Sequence, residues 1–115
     1  MRHNASETRM ITQRKIRKLS QKIVREFHPE RVILYGSRAR GHARRDSDVD
    51  LLVVMRYRGH SARMSAEILN RIEPEFAVDL LVRTPDEVRK RLAWRDPFLG
   101  EIIRSGKVLY EAAHR

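Results

Sequence analysis

Asp48 and Asp50 stand at alternate positions at the head of an apolar run, Leu51-Leu52-Val53-Val54, and Gly36-Ser37 follows a second run, Val32-Ile33-Leu34-Tyr35. These are the parts needed to hold metal ions beside a triphosphate, and the chemistry they suit is nucleotidyl transfer. The segment from about Asp48 to Met55 reads as a strand buried on both faces. An unpaired carboxylate taken out of water there costs several kcal/mol, which a metal ion, a cationic side chain or protonation must offset. Residues two apart in a strand share a face, so the Cα atoms of Asp48 and Asp50 would lie roughly 6.6 Å apart, with side chains able to converge on one ion or bridge two. Paired ions of the polymerase kind are spaced about 3.5–4 Å apart, within reach of two such carboxylates.

A third acid lies in a similar setting, Asp79 within Phe76-Ala77-Val78-Asp79-Leu80-Leu81-Val82. This too reads as a core strand. If the two strands are neighbours, about 4.8 Å apart, Asp79 joins the other acids on one face; an ion pair with one of the many arginines is the competing account. Gly36 would let a phosphate approach the backbone, Ser37 adds a hydroxyl donor, and Arg38 and Arg40 bring positive charge within sequence reach. Tyr35 is expected to pack on the sheet. His28, His42 and His60 lack metal-ligand spacing and receive no role.

GSRARG followed by SDVDLLVV, with the later lone acid in FAVDLLV, resembles the nucleotidyltransferase superfamily typified by DNA polymerase beta, and most closely its minimal nucleotidyltransferase (MNT) domains. The resemblance covers about Val32 to Val82, and the ending DPFLGEIIRSGKVLYE is also similar to MNT proteins. It implies an α/β fold with a small mixed sheet flanked by helices. It implies that Asp48 and Asp50 bind two divalent cations, usually Mg²⁺, that Asp79 completes the catalytic and metal site, and that Gly36 and Ser37 hold the β- and γ-phosphates of ATP. Proteins of this kind are commonly antitoxins encoded beside a HEPN-domain partner, and some transfer AMP to a partner tyrosine. A binding module that neutralises a partner by contact or binds RNA, and an RNA 3′-end nucleotidyltransferase, are the alternatives.

The remaining elements follow from periodicity and punctuation. Ile16, Leu19, Ile23 and Phe27 recur at helical spacing, predicting a helix over about 11–27 that Pro29 ends, after a flexible tail over 1–10. Strands are expected near 31–35 and 48–56, with a short helical segment from Ser37 to Gly41 between them. A helix follows over about 62–72. Thr84-Pro85-Asp86-Glu87 is a helix start with Thr as N-cap and Pro at the first position, predicting a helix to about Trp94. A last helix from about Pro97 to Ser105 would end at Gly106, with a short strand over 107–110. Residues 11–115 are read as one domain.

The 115 residues carry 25 Lys and Arg against 15 Asp and Glu, a net charge of +10. Lys and Arg crowd the first helix and the loop after Gly41, while the acid site is negative, an asymmetry that favours a polyanionic partner. Cationic antibiotic substrates are correspondingly disfavoured. The absence of cysteine leaves neither disulfides nor a cysteine-based zinc site. No apolar stretch approaches the roughly 20 residues of a membrane span, and a cytoplasmic location is expected. An exposed edge in so small a sheet makes a homodimer conceivable.

Overall fold

The computed structural model describes residues 10–45 and 47–113. The tail expected over 1–10 therefore falls, apart from Met10, outside the described residues. Helix α1 (Gln13–Phe27) starts two residues later than its periodicity suggested, because the Thr12 side chain caps it by accepting from the Lys15 N–H at 3.1 Å. Ile16, Leu19 and Ile23 bury one stripe of it. It stops where His28 takes a left-handed conformation, φ 50°, ahead of Pro29.

Four strands form one sheet in the order β3-β2-β1-β4: β1 (Arg31–Tyr35), β2 (Val49–Val54), β3 (Val78–Arg83) and β4 (Lys107–Glu111). β1 runs antiparallel to β2 and β4, whereas β2 and β3 are parallel and joined through helix α3 (Ser61–Ile72). The short helix α2 (Ser37–Arg40) links β1 to β2, and α4 (Pro85–Ala93) and α5 (Pro97–Ser105) link β3 to β4. The α/β fold with a small mixed, helix-flanked sheet is thus the one expected.

Each face of the sheet has its own core. Val32, Leu34, Leu51, Val53 and Val82 cluster with Ile16 and Ile23 of α1 and Ile68 of α3. On the opposite face Ile33, Leu52 and Val54 meet Val88 of α4 and Leu99 and Ile102 of α5. Cover on both sides is why β2 is a nearly unbroken apolar run. Burying a side chain such as Leu52 fully is worth about 1.5–3 kcal/mol relative to exposure.

Two details depart from expectation. Asp48 lies just ahead of β2 and is exposed, so it is a loop residue beside the strand, not a member of its pleat. Asp79 is also exposed, because β3 is an edge strand with Val78 only partly covered. Its apolar neighbours made it look like a core position. The helix start at Thr84 is as expected: its side chain accepts from the Glu87 N–H at 3.1 Å, with Pro85 in the first turn. Thr84→Ala should therefore cost about 1 kcal/mol in urea unfolding, while Thr84→Ser should be nearly neutral.

Candidate active site

Sheet register assembles the site. Tyr35 of β1 is paired with Asp50 of β2, and Asp50 with Asp79 of β3, so these three residues form one row across three strands. Alternation puts that row on the same face as Ile33, Leu52 and Leu81, which α4 and α5 cover. The row lies one step beyond that cover, at the end of β1 and the start of β2 and β3, where the face opens.

The electrostatics follow from the placement. The Asp50 carboxyl is held above its ordinary value, first by burial, then by the neighbouring charges of Asp79 and Asp48. Tyr35 is pushed up to about 12, again mostly by burial, with Asp79 and Asp50 adding and Arg83 opposing. A tyrosine raised in this way loses its contribution to stability as pH climbs from about 10 towards 12, because the unfolded chain releases the proton first. Tyr35→Phe should therefore flatten the alkaline fall in melting temperature and remove the latest-titrating tyrosinate signal at alkaline pH.

Gly36 closes one side of the row. Its φ of 76° and ψ of −155° belong to a region essentially confined to glycine. A Cβ there would collide with Asp50 Oδ2 and lie 3.2 Å from Asp50 Cγ. The missing side chain is thus what lets the turn press against the carboxylate. Gly36 also supplies no capping side chain to α2, leaving the first N–H groups of that helix to other acceptors. Ser37 opens α2, half-buried, and Arg40 ends it, exposed.

The two arginines of α2 have different surroundings. Arg38 donates through Nε and Nη2 to the Ser47 carbonyl at 3.0 and 2.7 Å, through Nη2 to those of Arg44 and Arg45 at 3.3 and 3.1 Å, and through Nη1 to Ile11 at 3.2 Å. Its hydrogen bonds place it in the scaffold of the loop that delivers Asp48, not among the donors facing the acids. Arg40 instead lines a cavity of about 270 Å³ beside Gly36, together with Tyr35, Phe98 and Glu101. Phe98 meets Tyr35 edge-on, ring centroids 5.9 Å apart. Phe98 and Arg83 are site neighbours that sequence spacing did not single out, since only tertiary packing brings them to the row.

The donors are carboxylate oxygens only, the kind hard divalent cations take, and Asp50 is held above its ordinary value first by burial and then by like charge that a cation would relieve. Among the described residues no group of three or more His, Cys, Asp or Glu is placed to hold a metal ion. Asp48, Asp50 and Asp79, the metal ligands expected from the sequence, do not form such a group as they stand. Nor is any helix among the described residues long and apolar enough to cross a membrane.

Comparison with known proteins bears on the same residues. Among solved structures the chain resembles a Sulfolobus solfataricus protein assigned as a nucleotidyltransferase (20% identity, 96% of this chain and 92% of that one, TM-score 0.60). It also resembles a chain of a toxin–antitoxin structure with AMP-PNP (20% identity, 84% and 73%, TM-score 0.54). A chain of the toxin–antitoxin MntA-HepT aligns at 17% identity over 88% and 74%, with a TM-score of 0.49. At these identities the likeness is one of fold. The curated proteins gave no match. The family model for the polymerase beta nucleotidyltransferases matches residues 17–115, a span that contains the glycine turn and all three acids. The chain belongs to the polymerase beta nucleotidyltransferase family.

Proposed function

We propose that this chain transfers AMP from ATP to a hydroxyl acceptor, with Asp48, Asp50 and Asp79 as its acidic centre and Gly36, Ser37 and Arg40 as its phosphate contacts. The observation that carries the reading is the register of Asp50 with Asp79 at the open end of the sheet, directly beside a glycine turn with no Cβ. Two Mg²⁺ ions bound at these acids would acidify the attacking hydroxyl and neutralise charge on the departing oxygen. In the reaction the acceptor oxygen forms a bond to the α-phosphorus, the bridging bond to the β-phosphate breaks, and pyrophosphate leaves. Asp79, exposed at the sheet edge, is the carboxylate an incoming acceptor meets first and the one suited to take its proton. Gly36, Ser37 and Arg40 keep the β- and γ-phosphates in line, so the chain contributes mainly position and charge.

The acceptor we favour is a tyrosine of a HEPN-type partner, making the chain the antitoxin of a pair and a protein of the cytoplasm. The fold likeness to the toxin–antitoxin chain with AMP-PNP supports this choice, as do the exposed acids, which leave one wall of the cleft for a partner to supply. Incubation with Mg²⁺, α-labelled ATP and the HEPN protein should move label onto the partner. Asp48→Ala with Asp50→Ala should abolish both the transfer and the neutralisation of the partner. Neutralisation that survives the double substitution would instead identify a module acting by contact alone.

A further inference from the structure

The acid row leaves the largest charge feature of the molecule without a use. Every ion pair between described residues falls in the segment from Arg83 to Arg104. Arg14, Arg17 and Arg25 of α1 are exposed and belong to none of them. With Gln21 they recur every three to four residues along the helix, on the side opposite the buried Ile16, Leu19 and Ile23.

Next to this stripe runs a groove of about 250 Å³ between α1 and β4, lined by Arg17, Gln21, Val24, Arg25, Leu109 and Tyr110 among others. Its lining contains no acid. The groove on the other flank of α1 differs, since Lys15, Lys18 and Lys22 there face a lining that includes Glu73 and Glu75. The floor of the acid-free groove depends on a bulge. Val32 pairs with Tyr110 and Ile33 with Val108, so Leu109 is the extra residue, and both Leu109 and Tyr110 pack towards the α1 side. A bulge of this kind also breaks the outer edge of β4 as a template for strand addition.

Arg38 then joins two basic segments into one surface. It holds the Ile11 carbonyl just ahead of α1 and, at the same time, the carbonyls of Arg44, Arg45 and Ser47. The exposed Arg44 and Arg45 are thereby fixed near the start of the α1 stripe, in the loop that leads to Asp48.

We propose that this face binds a nucleic-acid strand, its phosphodiester backbone lying along Arg44, Arg45, Arg14, Arg17 and Arg25 and a base entering the groove over Leu109 and Tyr110. Arginines flanking an aromatic and aliphatic floor are the combination that holds phosphates while stacking bases. An acidic peptide would satisfy the charges but would find a broken strand edge and no use for the ring. None of these residues belongs to the acid row, so the binding stands apart from nucleotidyl transfer.

The test is fluorescence anisotropy with a labelled single-stranded oligonucleotide, as RNA and as DNA of matching sequence, at about 50 to about 200 mM salt. Both strands are expected to bind, since the contacts are to phosphate and to the face of a base. For these five phosphate contacts at about 0.7 each in the slope of log K against log salt, affinity falls roughly 130-fold across that range. Arg17→Gln with Arg25→Gln should flatten the slope by about 1.4, and Tyr110→Leu, which keeps the apolar packing, should weaken binding about tenfold without changing the slope. Arg89→Gln with Arg104→Gln removes the same charge from ion-paired, exposed positions and should change the slope little. Asp50→Asn should leave binding intact even though it stops transfer. No binding by the wild type at the lowest salt, an equal loss in the charge-matched control, or displacement by polyglutamate as readily as by unlabelled RNA would each overturn the proposal.

Discussion

Asp50→Asn is expected to stop nucleotidyl transfer and, at the same time, to raise the melting temperature. The transfer loss follows from removing the central carboxylate of the row, the one in register with both Tyr35 and Asp79. On the proposed reading Asp50 holds a cation, and a bound cation supplies several kcal/mol of transition-state charge stabilisation, which corresponds to about 10³-fold or more in rate. The stability gain has a separate origin. Burial, then Asp79 and Asp48, hold the folded Asp50 carboxyl above its ordinary value, so its ionised form is disfavoured in the native state. Its linkage contribution is fully present below the ordinary carboxylate range and is lost as pH rises through the folded value. At neutral pH the charge is therefore a cost that asparagine removes, and the advantage of the variant should shrink on acidification. Melting curves at neutral and acid pH, beside a transfer assay, read both effects. A variant that melts lower than wild type at neutral pH would contradict the electrostatic account.

Gly36→Ala should be as damaging to function and clearly damaging to stability. Alanine meets two independent penalties. The backbone at φ 76° and ψ −155° costs a residue with a Cβ about 1–3 kcal/mol. The new methyl also occupies the space of Asp50 Oδ2, so either the turn or the carboxylate must shift. Gly41 provides a control for positive φ: it shares the φ of 76°, but its ψ of 16° lies in the left-handed helical region that other residues can adopt, and a Cβ there meets nothing within 4 Å. Gly41→Ala should carry only the smaller cost of a left-handed backbone and retain nucleotide binding, whereas Gly36→Ala should lose it. Equal nucleotide affinity in the two variants would show that the close approach of Gly36 to Asp50 has no part in the site.

Local signals were legible wherever residues interact with near neighbours. Thr84-Pro85, Pro97 and Gly106 marked helix ends because capping is a short-range transaction, and β1 ended where Gly36 forced a turn. The acids stood out in the sequence because carboxylates heading apolar runs require an explanation. Their relative placement was not written locally. The pairing of Asp50 with Asp79 rests on β2 and β3 being parallel neighbours across α3, a long-range choice. The exposure of Asp79 was obscured because edge strand β3 carries nearly the same apolar residues as central strand β2; only the missing neighbour on its far side tells them apart. Arg38 shows another limit. Its partners are main-chain carbonyls, which every residue possesses, so a guanidinium that organises a loop looked in sequence like one that meets a phosphate.

Calorimetric titration of ATP into the chain, with and without Mg²⁺, tests the central claim that the acid row and the glycine turn form one metal-dependent triphosphate site. The account predicts binding that requires Mg²⁺ in the wild type and disappears in folded Asp48→Ala, Asp50→Ala protein. Binding that ignores Mg²⁺, or that survives loss of both acids, would contradict it.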